Sequence, residues 1–121
     1  LHKASDHSNQ RLKMILAKFL STEDKTIFGF EISGHSGYAE SGNDIVCASV
    51  SSCAYMVANT VTEIYHIDAD ADINDGFLSF TVPISKAETL QPLFEGFKLH
   101  LNELSKEYRK YLKVENEIIH K

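Results

Sequence analysis

The chain has 121 residues, 43% of them hydrophobic and 24% charged, and a formal net charge of −5. That length fits one domain with a real core. No uninterrupted apolar run approaches the roughly 20 residues of a membrane span, and the start does not read as a signal peptide. Lys3, Arg11 and Lys13 against Asp6 give the first thirteen residues +2, so residues 14–121 carry −7. An acidic body disfavours non-specific nucleic-acid binding and favours a basic partner.

Residues 1–13 are polar, with two histidines and no apolar period. Met14 opens the first apolar stretch and is read as the native start. The preceding segment is then a leftover of cloning, the alternative being a natural disordered tail. Residues 14–20 alternate as a strand, with Ile15, Ala17 and Phe19 on one face. Residues 21–25 form a polar turn. Residues 26–32 form a second strand, interrupted by Gly29, which marks a bulge or a close backbone approach. The pair reads as a hairpin.

Residues 34–43 form a loop with three glycines. Ser41 with Asp44 resembles a capping box, and Asn43 is an alternative cap. A helix follows to about Tyr65, with Val46, Val50, Cys53, Val57, Val61 and Ile64 as its apolar stripe. Residues 66–73 form a strand in which Asp68, Asp70 and Asp72 alternate with apolar positions. Asn74-Asp75-Gly76 turns the chain into a strand over residues 77–84, with Leu78, Phe80, Val82 and Ile84 on one face. Ser85 with Glu88 reads as a capping box. The next helix carries Leu90, Leu93 or Phe94, Phe97, Leu101, Leu104 and Tyr108, and Pro92 predicts a kink or a later start. A last strand covers residues 112–119. The order is ββαββαβ: a single α+β domain, its largely antiparallel sheet packed with two helices.

The chemistry concentrates between Gly34 and Ser51. A thiol becomes a good nucleophile when an imidazole and a helix N-terminus stabilise its thiolate. Cys47 lies just inside the first helix, and His35 stands twelve residues upstream across the loop. Most lone helical cysteines are core residues, and a turn histidine is commonly a surface residue. Asp44 is placed to orient His35 or to meet the free N–H groups of the first turn. Ser51 is one turn after Cys47, near the thiol or simply allowing close packing. Cys53 falls about 120° from Cys47 around the helix and is read as core. The two thiols are too far apart along the helix to pair. Their divergence also argues against a zinc site with His35 and His66.

The aspartate run lacks the glycine and glutamate of an EF-hand loop and reads as the solvated face of a strand, the alternative being a surface that attracts a basic peptide. Gly34-His35-Ser36-Gly37 matches the GxxG of KH-type RNA binders, but that loop joins two helices, whereas here it follows a strand. The loop has little apolar area to offset its ordering entropy, so it is expected to be mobile until a substrate closes it.

Three pieces together resemble the ribosomal-processing cysteine protease Prp family. They are Gly34-His35-x-Gly37-Tyr38-Ala39, Gly42-x-Asp44-Ile45-Val46-Cys47-Ala48 and Val50-Ser51. The resemblance runs from about Leu16 to Val114. Cys53 and residues 1–13 depart from the family pattern. It implies a Cys-His endopeptidase that removes the N-terminal extension of large-subunit ribosomal protein twenty-seven. Cys47 matches the nucleophile and His35 the base. Gly34, Asp44 and Ser51 match supporting positions, and Gly37, Tyr38 and Gly42 the substrate-binding loop. It further implies a cytoplasmic homodimer acting on a basic N-terminal peptide, without cofactor, metal, membrane or direct nucleic-acid partner. The alternative function is a non-catalytic ribosome-associated or RNA-binding module.

Overall fold

The computed structural model describes residues 14–34 and 41–120, and of residues 41–44 the backbone alone. Its strands are β1 (Ile15–Ser21), β2 (Ile27–Ser33), β3 (Asp70–Asn74), β4 (Phe77–Thr81) and β5 (Leu112–Ile118). Its helices are α1 (Ser41–Asn59), the short α2 (Ile84–Ala87) and α3 (Gln91–Glu107). The strands form one sheet in the order β3-β4-β2-β1-β5. Its β1–β2, β2–β4 and β3–β4 pairs are antiparallel, while β5 lies parallel to β1. The sheet is thus mixed, with one parallel edge strand.

Registers align Ala17 with Ile32, Phe19 with Phe30, and Phe30 with Phe80, so one face of β1, β2 and β4 is apolar. The buried stripes of α1 and α3 join that face in a single core. Phe30 is its centre. The ring lies 4.9 Å from Phe97, 5.5 Å from Phe80 and 6.4 Å from Phe94, mostly edge-on.

Gly29 satisfies both expectations made of it. The β1–β2 register shifts beside it, between Leu20 and Ser21, which is the bulge. A Cβ on Gly29 would stand 2.4 Å from the Phe80 carbonyl oxygen, so only glycine lets β2 and β4 approach.

The stripe of α1 departs from expectation at two positions. Val46, Val50, Ala54, Val57 and Val61 are buried, whereas Cys53 is half-buried and Ile64 is 71% exposed. At Ile64 the reason is a π-helical turn over Thr60–Ile64, which adds a residue to the repeat. The Thr60 and Thr62 hydroxyls donate to the Met56 and Ala58 carbonyls at 2.7 and 3.2 Å, a back-bonding that loosens a helix end.

His66 then adopts φ 58, the left-handed conformation that glycine usually takes after a helix. The chain therefore stays irregular to Asp70, and β3 starts four residues later than expected. The 20-residue stretch Ile45–Ile64 has a mean hydropathy of 1.4, long and apolar enough for a membrane span by composition. The serines and threonines within it hide this when only uninterrupted runs are counted.

The Ser85–Glu88 capping box does not form. Pro83 occupies the cap position of α2, with no side-chain cap bond, and Ser85 lies inside the helix. Ile84 is exposed for the same reason, since β4 has already ended. The expectation from Pro92 is met by the later start: α3 begins at Gln91, with the proline in its first turn. There its missing N–H costs nothing.

Gln91 binds the start of α3 to the start of β2. Its amide nitrogen donates to the Ile27 and Ala87 carbonyls at 2.7 and 2.8 Å, and its oxygen accepts from the Ile27 N–H at 2.9 Å.

Candidate active site

The site begins where β2 ends. Gly34 has φ 88, a left-handed conformation that a side chain disfavours. Its N–H donates to the Gly76 carbonyl at 3.0 Å, which ties the end of β2 to the β3–β4 turn. Gly76 itself has φ 77. The turn was legible in the sequence, but its bond to Gly34 was not, because the partner lies 42 residues away.

His35, Gly37 and Tyr38 lie outside the described residues, as does the expectation of a mobile loop. Ser41 has helical backbone and belongs to α1. Ser41 and Asn43 therefore lie inside α1 rather than capping it. Gly42 belongs to its first turn and not to the loop. The side chain of Asp44 lies outside the described residues.

Cys47 is the seventh residue of α1 and half-buried. It flanks the buried stripe at Val46 and Val50 and packs against the core edge. This is deeper in the helix than the caps read from sequence. The terminal N–H groups act mainly within the first turn. Helical side chains tilt back toward the N-terminus, however, so the thiol leans over the turn that holds Asn43 and Asp44. Ser51, one turn further along, is half-buried on the same flank.

Cys53 is a different thiol. It packs on the core as a partly buried apolar residue, and burial pushes its pKa up from 9.0. No disulfide joins it to Cys47. Its environment disfavours the thiolate, which suits a structural residue.

A cavity of about 520 Å³ is lined by Thr22, Glu23, Asp24, Thr26, Ile84, Glu88 and Ile119. It lies at the β1–β2 turn, at the other end of β2 from Gly34, and so has no part in this site. The aspartates at 70 and 72 are exposed on β3, as read from the sequence.

The family model described as cysteine protease Prp matches residues 14–113. The ribosomal processing cysteine protease Prp of Bacillus subtilis (strain 168) is 32% identical over 112 residues, covering 88% of this chain and all of that protein. The fold matches a Staphylococcus aureus ribosomal processing protease Prp in complex with a substrate peptide, with TM-score 0.78 and 18% identity. That match covers 86% of this chain and 100% of the other. A Streptococcus mutans protein has TM-score 0.72 and 24% identity over 89% of this chain and 99% of its own. The chain is a cysteine protease and belongs to the Prp family.

Proposed function

We propose that this protein removes the N-terminal extension of large-subunit ribosomal protein twenty-seven, with Cys47 as nucleophile and His35 as base. The observation that carries the reading is the setting of Cys47: a half-buried thiol in the early part of α1, thirteen residues after the left-handed Gly34. It lies inside a family match spanning residues 14–113. The relative from Bacillus subtilis is a ribosomal processing protease, and the Staphylococcus aureus structure holds a substrate peptide.

In this mechanism His35 takes the thiol proton, and the Cys47 sulfur adds to the scissile carbonyl. The tetrahedral intermediate collapses as the imidazolium gives its proton to the departing amine. The acyl group is left as a thioester on Cys47. Water, deprotonated by His35, then attacks the thioester and releases the acid and the thiol. Backbone N–H groups near the start of α1 or in the glycine loop are the proposed oxyanion donors.

The reading includes a cytoplasmic homodimer. The exposed Ile45, Tyr55, Met56, Ile64 and Tyr65 supply apolar area for such an interface. Cleavage is tested by mass spectrometry of the ribosomal protein incubated with wild type, Cys47→Ala and Cys53→Ala. The expected result is loss of cleavage in Cys47→Ala alone. Cleavage retained by Cys47→Ala would discard the nucleophile assignment, and no cleavage by the folded wild type would favour a non-catalytic module.

A further inference from the structure

β3 is an outer strand of the sheet, and all five of its residues are exposed. Two backbone hydrogen bonds fix which of its groups point outward. The Val82 N–H donates to the Phe28 carbonyl at 2.9 Å, and the Gly34 N–H to the Gly76 carbonyl at 3.0 Å. In an antiparallel ladder the N–H and C=O of one residue point to the same side, and alternate residues point to opposite sides. Even-numbered residues along β4 therefore bond to β2, and Phe77, Ser79 and Thr81 bond toward β3. Their partners are Asn74, Asp72 and Asp70. Ala71 and Ile73 are left with N–H and C=O directed away from the sheet, where the described residues hold no further strand.

Side chains reinforce this. Ala71 and Ile73 pair with Phe80 and Leu78 on the helix-covered face, yet both are exposed, Ile73 by 56%. The strand extends past the ground the core helices cover. Natural sheets protect such edges or use them to take up another strand. The far end of β3 turns at Gly76 directly beside Gly34, the residue before His35.

We propose that the outer edge of β3 takes an extended, basic segment of the substrate as a sixth strand, held by the N–H and C=O groups of Ala71 and Ile73. The proposal rests on the proteolytic reading above and gives the site its means of holding a chain. Asp68, Asp70, Asp72 and Asp75 are all exposed along and beside the edge, which selects a basic occupant. A second copy of this chain fits poorly, because pairing β3 with itself would set aspartate against aspartate. Pairing there delivers the substrate in extended form to the Gly34 end of the sheet.

The probe is a synthetic peptide spanning the extension and cleavage junction of ribosomal protein twenty-seven. Ala71→Pro and Ile73→Pro each remove an outward N–H and leave the β3–β4 ladder intact. KM should rise about three- to tenfold in each, with kcat unchanged, the pattern of lost uniform binding. Asp70→Asn with Asp72→Asn should raise KM at low salt and match wild type at high salt. Amide exchange in Cys47→Ala gives an independent reading that needs no proline variant to fold. Adding the peptide should protect the Ala71 and Ile73 amides and leave those of Asp70 and Asp72 unchanged. Unaltered KM in both folded proline variants, or peptide binding without that protection, would overturn the edge proposal while cleavage stands. Failure of the wild type to cleave would instead remove the proteolytic reading, and this proposal with it.

Discussion

Two cysteines share one helix six residues apart, and their surroundings separate them. Burial raises the pKa of Cys53, so at neutral pH it stays a thiol. Iodoacetamide at pH 7 should therefore modify Cys47 first, and activity should fall with that modification. Peptide mapping by mass reads the order, and Cys53 reacting first would refute it. The raised pKa of Cys53 also sets a sign. Its contribution to stability is whole below the unfolded value near 9 and is lost as pH rises through the higher folded value. Cys53→Ala should remove that alkaline loss, keep activity and cost at most about 1–2 kcal/mol. Gly34 is the other decisive residue. At φ 88 a side chain costs about 1–2 kcal/mol, so Gly34→Ala should lower stability by that amount. It should also lower kcat/KM, because the turn into the His35 loop shifts.

At the scale of elements, one side chain joins two segments that no local pattern relates. Gln91 bonds both backbone groups of Ile27, the first residue of β2. Gln91→Ala leaves that half-buried pair unsatisfied, and chemical denaturation should show a loss of about 1–3 kcal/mol. A loss under about 0.3 kcal/mol, smaller than one typical net hydrogen bond, would mean that water replaces the amide. The aromatic cluster contributes more. Phe30 is fully buried against Phe19, Phe80, Phe94 and Phe97, so Phe30→Ala should cost about 3–5 kcal/mol.

The whole molecule is acidic, with −5 over the chain and −7 over residues 14–121. A field of that sign steers a basic peptide toward the protein and weakens with salt, since screening acts beyond about 8–10 Å at physiological ionic strength. The specificity constant should fall between low and moderate salt, most of it in KM. A flat profile would exclude charge steering and leave the hydrogen bonds of the β3 edge to hold the substrate.

The order of elements, the alternating faces of β1 and β4, the glycine approach at Gly29 and the late start of α3 all follow from the sequence alone. Each rests on a local rule: the period of 2 or 3.6, a missing Cβ, or a missing N–H. The helix that carries Cys47 was legible for the same reason, from apolar residues recurring at steps of three and four. Strand order, the parallel pairing of β5, the bond from Gly34 to Gly76 and the grip of Gln91 on Ile27 were decided only in three dimensions. They join residues far apart in the chain, and nothing local marks such a pair. The exchange of Cys53 for Ala54 in the buried stripe has the same origin. Around α1 both positions are apolar and about 100° apart, and only the placement of the sheet selects which one faces it.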